Sequence, residues 1–243
     1  MLSERSDLSP PHGSRFAKGL RPSPPAGSLR RVRGPRAESG PGLHRVAPDL
    51  GGHRRVASPS VPTLSASSTI DGVWIVDPEG HGDTRGRFSE TYRRSWFPEG
   101  REMVQGNRSD KGAGAVVGIH YHLHQADYWQ VVAGEARVVL HDLRMGSTTD
   151  GNTEVLLLSG SNCRGVWIPP GVGHGFASLT DLVLTYLVDQ YYNPADELGV
   201  AWDDPEIGAD WGVSDPILSE RDRHNPRRAD IDPTLQPRAG LRR

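Results

Sequence analysis

The sequence predicts an all-β domain over residues 66–230, a sandwich or a barrel, and three observations predict it. Apolar runs are short and strand-sized. Gly, Pro and Asp close most of them. Helical periodicity is nearly absent, Ser89–Phe97 being the one stretch that fits a short helix. Short strands at regular spacing with Gly/Pro punctuation are the pattern of closed or layered β folds.

Each element follows in order. Gly72-Val73-Trp74-Ile75-Val76 reads as a strand stopped by Asp77-Pro78. Val131–Leu140 reads as two strands around Gly134. Val155–Leu158 is a strand closed by Ser159-Gly160, and Gly165–Ile168 is stopped by Pro169-Pro170-Gly171. Leu182–Asp189 is longer. After Tyr192 the chain turns acidic and irregular, as in loops packed over a barrel, with Trp202 and Trp211 as anchors.

The two ends have a different composition. Residues 1–65 scatter arginines from Arg15 to Arg55 among Pro, Gly and Ser. Such a stretch cannot bury enough apolar surface to offset its ordering entropy, so it is expected to be disordered. Its functional alternatives are a basic tether, a transit-type peptide or a nucleic-acid arm. It has no apolar core of a secretory signal. Residues 231–243 are basic and contain Pro, and are expected to form a flexible tail.

Charge and cysteine bound the function classes. Lys and Arg number 28 against 30 Asp and Glu, a formal net charge of -2. That balance gives no electrostatic case for nucleic acid or an anionic membrane as partner. No apolar run approaches the roughly 18 residues of a membrane span. The one cysteine, Cys163, forms no intrachain disulfide and reads as structural.

The chemistry concentrates on Gly118-Ile119-His120-Tyr121-His122-Leu123-His124. Six of the ten histidines lie from His81 to His174. On a strand, alternate residues share a face, so His120, His122 and His124 are expected on one side, in a buried segment. Buried imidazoles need partners, which metal, carboxylate or ligand can supply. His122-x-His124-x-x-Asp127 followed by Gly134 approximates the first metal motif of cupin barrels, and Pro169-x-Gly171-x-x-His174 the second. His122, His124, Asp127 and His174 are therefore a candidate mononuclear site for a metal-dependent cupin enzyme. Trp129 and Tyr128 read as core, with base or sugar stacking as the alternative.

A second pattern covers far more of the chain. Gly82-Asp83-Thr84-Arg85-Gly86-Arg87-Phe88-Ser89-Glu90, Val104-Gln105-Gly106-Asn107-Arg108-Ser109 and Gly118-Ile119-His120-Tyr121 occur in order. Val166-Trp167-Ile168-Pro169 with Gly173-His174-Gly175-Phe176 follows, then Tyr186 with Tyr191-Tyr192, Trp202-Asp203-Asp204-Pro205, Ile207-Gly208 and Leu218-Ser219-Glu220-Arg221-Asp222. From Gly72 to about Pro226 this series resembles the dTDP-4-dehydrorhamnose 3,5-epimerase family of metal-independent enzymes.

The resemblance implies a cupin-type jelly-roll barrel, a cytoplasmic homodimer that exchanges edge strands, no cofactor, and a nucleotide-sugar substrate. The activity implied is inversion at C3, C5 or both of a 4-keto-6-deoxysugar. His120 takes the position of the base, Asp222 that of its orienting carboxylate, and Tyr186 that of the acid on the opposite face. Arg85, Gln105, Asn107, His174 and Arg144 are the candidate nucleotide or phosphate contacts. A sugar-binding member without catalysis is the other reading. Two positions depart from the family: Val117 stands where an Arg precedes the Gly-x-His stretch, and Asp127 where a Lys is usual. His122 or His124, if protonated, are expected to replace part of that charge.

Overall fold

Period-two alternation of apolar and polar side chains, cut by Gly and Pro, folds residues 62–97 and 101–240 of a computed structural model into thirteen strands. They are β1 (Thr63–Ala66), β2 (Trp74–Asp77), β3 (Gly80–Asp83), β4 (Gly86–Ser89), β5 (Gln105–Lys111), β6 (Val116–Tyr121) and β7 (Asp127–Ala133), followed by β8 (Glu135–Asp142), β9 (Thr153–Ser159), β10 (Gly165–Ile168), β11 (Val172–Ser178), β12 (Leu182–Val188) and β13 (Leu198–Gly199). A six-stranded sheet runs β1-β2-β10-β7-β12-β5, and a five-stranded sheet runs β13-β6-β11-β8-β9. Trp129, Val131, Val166, Ile168 and Leu184 of the first pack against Val138, Leu140, Val172 and Phe176 of the second. A β11 buried along its whole length shows that this strand runs through the interior. The layered all-β fold expected from the strand pattern is observed, and with it the jelly-roll architecture that the resemblance implies.

Several local expectations are replaced. The candidate helix Ser89–Phe97 is only a 3-10 turn, Arg94–Trp96. Phe97 precedes Pro98, which disfavours helical backbone at that position, and takes an extended φ of -104°. It instead stacks on Trp167, with ring centroids 4.4 Å apart. The expected extension lies outside the described residues up to residue 61, but its last part is a strand: Thr63–Ala66 pairs with β2. Residues 231–240 run along the domain rather than away from it. Ile231 is buried, and the chain around Pro237 and Ala239 exchanges backbone hydrogen bonds with Met145.

The histidine strand also ends sooner than its alternation suggests. β6 stops at Tyr121. Beyond it, the Asp196 carboxylate accepts from the amides of Leu123 (2.7 Å) and His124 (3.2 Å), which turns the chain. His122 is buried, whereas His124 is exposed. The three imidazoles therefore do not share one face.

β6 and β11 approach closely where their register shifts, between His174 and Phe176. Gly118 makes this possible, with φ +103°. A Cβ there would lie 2.7 Å from the His174 carbonyl oxygen and 2.9 Å from the Gly175 Cα. Gly118→Ala is expected to cost about 1–3 kcal/mol from backbone strain, plus the clash, read as a lower midpoint in denaturant unfolding. An unchanged midpoint would show that the strands can separate freely.

His141 on β8 is fully buried, with Nδ1 against the Thr153 hydroxyl at 2.8 Å. Burial, then the charge of Arg228, pushes its imidazole down to about 4, against the opposing pull of Asp142, Asp204 and Asp150. From its ordinary value of 6.5 down to about 4, the unfolded chain binds a proton here that the folded chain refuses. Stability is therefore full above 6.5 and is lost as pH falls through that window. His141→Gln is expected to flatten the slope between pH 7 and pH 5 in equilibrium unfolding.

Candidate active site

The site is built where β6 and β11 of one sheet meet β7, β12 and β5 of the other. His120 and His174 are register partners across β6 and β11. His120 Nε2 lies 2.6 Å from Asp222 Oδ1. Asp222 sits in a one-turn helix, Glu220–Arg223, capped by Ser219. The Ser219 hydroxyl accepts from the Asp222 amide (3.1 Å) and donates to Oδ2 (2.9 Å). Burial by itself pushes the Asp222 carboxyl up. The hydrogen bond and charge of His120, with those of Ser219 and the Gly118 amide, outweigh it, and the net direction is downward. The carboxylate can only accept, so Nε2 of His120 carries the proton. Nδ1 is then the basic atom.

His174 is buried, and its Nδ1 donates to the Val172 carbonyl at 3.0 Å. Burial pushes its imidazole down to about 4, opposed by Asp127 and helped by the neighbouring His122 and His120. His174 is thus a neutral ring on the floor of the site. Asp127 on β7 is also buried. Gln125 Nε2 donates to its Oδ1 and Trp129 Nε1 to its Oδ2, both at 2.9 Å. Trp129 stands edge-on to His174, with centroids 5.0 Å apart.

Tyr186 on β12 is the register partner of both Trp129 and Asn107. Burial, then the negative charges of Asp127 and Glu197, raises its phenol above the ordinary value, so the hydroxyl keeps its proton. Gln105 and Asn107 sit two apart on β5, half-buried, with Gln105 Nε2 donating to Asn107 Oδ1 at 3.0 Å. The amide of Tyr192 donates to Gln105 Oε1 at 3.1 Å, which ties the following loop to this edge.

The fold thus gathers His120, Asp222, Tyr186, His174, Asp127, His122, Gln105 and Asn107. It does not bring in three residues that sequence alone placed there. Arg144 is committed elsewhere: its Nε and Nη2 bond both oxygens of Asp142, at 2.7 and 2.8 Å, and Nη2 also bonds the Asp71 carbonyl. Arg85 lies on the β3–β4 hairpin, its side chain 88% exposed and bonded to Asp83. His124 faces outward, so neither a metal nor a substrate charge in the interior is served by it.

Sequence reasoning missed Asp196, Glu197 and Ser219. His122 Nδ1 lies 2.7 Å from the Asp196 carbonyl oxygen. Arg221 holds Glu197 at 3.1 Å beside the same ring. Their only sequence signal was an acidic pair after the last long strand and a Ser three residues before Asp222.

Residues 67–230 match the family model for dTDP-4-dehydrorhamnose 3,5-epimerase. An enzyme of that description from Methanothermobacter thermautotrophicus is 39% identical over 166 residues, 65% of this chain and 90% of the relative. A dTDP-4-dehydrorhamnose 3-epimerase from Streptomyces niveus is 40% identical over 162 residues, 63% of this chain and 78% of the relative. Among solved structures, NovW, a 4-keto-6-deoxy sugar epimerase from Streptomyces spheroides, superposes with a TM-score of 0.70 at 36% identity, covering 74% of this chain and 94% of that one. The Legionella pneumophila dTDP-6-deoxy-D-glucose-3,5-epimerase, in complex with dTDP-4-keto-L-rhamnose, gives 0.69 at 33% identity, covering 73% and 98%. By the span of the match and the identity to its relatives, this chain belongs to the dTDP-4-dehydrorhamnose 3,5-epimerase family of isomerases.

Proposed function

We propose that this chain inverts C3, C5 or both of a 4-keto-6-deoxysugar carried on dTDP, with His120 as base, Asp222 as its orienting carboxylate and Tyr186 as acid. One observation carries the assignment of roles. The His120–Asp222 pair belongs to the five-stranded sheet and its flanking helix, and the protonated Tyr186 belongs to the six-stranded sheet. Inversion requires removal of a proton on one face of the sugar and delivery on the other. Groups anchored on opposed sheets supply that arrangement.

The C4 ketone acidifies the neighbouring C–H bonds. His120 Nδ1 takes the proton, the C–H electron pair becomes a C=C bond to C4, and the carbonyl π pair moves onto the C4 oxygen, giving an enolate. Asp222 stabilises the resulting imidazolium through Nε2. Tyr186 O–H then protonates the carbon from the far side, the C4 ketone re-forms, and both side chains re-equilibrate with solvent. Gln105 and Asn107, presenting amides from the β5 edge, are suited to bind the nucleotide portion.

The working unit in this reading is a cytoplasmic homodimer. The β3–β4 hairpin supports the dimer: among the described residues its strands pair only with each other, and Phe88 on it is 71% exposed. Arg85 on that hairpin would then serve the partner's site.

His120→Asn is expected to lower turnover about 100- to 10,000-fold, and to abolish solvent deuterium wash-in at C3 and C5 of dTDP-4-keto-6-deoxyglucose. Tyr186→Phe is expected to keep wash-in on the face His120 serves and to lose epimerised product to a similar degree. Wash-in unchanged in His120→Asn would remove the base assignment. Absence of exchange in the unaltered protein would remove the epimerase reading.

A further inference from the structure

The centre of the site holds a buried carboxylate close to where an enolate would form. Asp127 is buried, and among the residues gathered there none is a Lys or an Arg. An enolate developing beside a buried carboxylate places two like charges in a low-dielectric interior, where repulsion is poorly screened.

The groups around Asp127 have an arrangement that resolves this. His122 Nδ1 lies 2.7 Å from the Asp196 carbonyl oxygen, and His174 Nδ1 lies 3.0 Å from the Val172 carbonyl oxygen. A carbonyl only accepts, so each Nδ1 carries a proton, and Nε2 is the nitrogen whose lone pair each ring can offer a metal. Both Nε2 atoms lie near the same carboxylate, 3.9 Å from Oδ1 for His122 and 4.0 Å from Oδ2 for His174. These separations are too long for hydrogen bonds. Ligand atoms of the three residues all lie within 4.8 Å of one another, and all three residues are buried. A tetrahedral ion with bonds of about 2.0–2.1 Å spans about 3.4 Å between ligand atoms, so a shift of about half an ångström brings each imidazole into range with the carboxylate, and no pair has to close by more than about 1.4 Å. The carboxylate is oriented by Trp129 Nε1 and Gln125 Nε2, one donor per oxygen. Carbonyls behind the imidazoles and donors behind the carboxylate are the supporting contacts that metal ligands require.

We propose that His122 Nε2, His174 Nε2 and the Asp127 carboxylate bind one divalent first-row transition cation. Two imidazoles and one carboxylate match the donor preference of such ions rather than of Mg²⁺ or Ca²⁺. Three protein ligands leave open positions. Resting on the epimerase reading above, an open position would take the C4 oxygen of the substrate, and the ion would turn a local negative charge into a net positive one as the enolate forms.

The test uses the untagged full chain, stripped with a chelator, dialysed, and titrated with Co²⁺. The expected result is one Co²⁺ per chain with visible d–d absorption, displaced by Zn²⁺. His122→Gln and His174→Gln are each expected to lose those bands. Trp129→Phe, which keeps an aromatic ring but removes the donor to Asp127, is expected to weaken binding roughly 10- to 100-fold. Circular dichroism of each variant separates lost binding from lost fold. No bands in the unaltered chain, or bands unchanged in both histidine variants, would overturn the site. Deuterium wash-in measured on the stripped and reloaded samples reads the role: loss on stripping with recovery on reloading supports it, and full exchange by the stripped protein overturns it. Co²⁺ bands intact with no exchange in either sample would count against the epimerase reading and leave the ion site standing.

Discussion

The hydrogen bond between His120 and Asp222 joins residues 102 positions apart in the chain, and the site depends on it. It fixes which imidazole nitrogen is basic, and it gives a buried carboxylate a partner that offsets its desolvation. It also requires the C-terminal segment to return to β6. That return is made by Val116 bonding the Ile217 carbonyl, by β13 pairing with His120 and Tyr121, and by Ser219 capping the turn that carries Asp222. The acidic loops after Tyr192 are therefore part of the active-site wall, and their burial of Ile207 and Trp211 against Val116, Ile119 and Val139 anchors them there.

The same economy governs the opposing sheet. Tyr186, Asn107 and Trp129 are aligned by register rather than by loops, so their relative positions are set by ladder hydrogen bonds. Groups on sheet strands are held more rigidly than groups on loops. Between the sheets, Asp127 is the electrostatic centre. It raises the Tyr186 phenol and opposes the downward shift of His174. One buried carboxylate thus acts on both the Tyr186 phenol and the neutral His174 ring.

Much of this was legible in the chain. Strand limits at β10 and the β7–β8 turn at Gly134 followed from punctuation alone, because Gly and Pro act locally. His120, Tyr186 and Asp222 were nameable from ordered motifs. What failed did so where distant residues decide. The alternation of His120, His122 and His124 implied one face, but Asp196, over seventy residues on, ends the strand and sends His124 outward. Arg144 reads as an anion contact until Asp142, two residues away, is seen to claim its guanidinium. The C-terminal residues read as a tail because composition cannot register the edge that Met145 offers them.

The sequence by itself determined the all-β class, several strands with the turns that close them, and the family, since these rest on local backbone preference and on ordered motifs. Only the tertiary structure decided which nitrogen of His120 is basic, that His120 and Tyr186 stand on different sheets, and that His122, Asp127 and His174 converge. Protonation and convergence are set by contacts between strands far apart in the chain, and pairing across a sheet leaves no periodic trace in either strand alone.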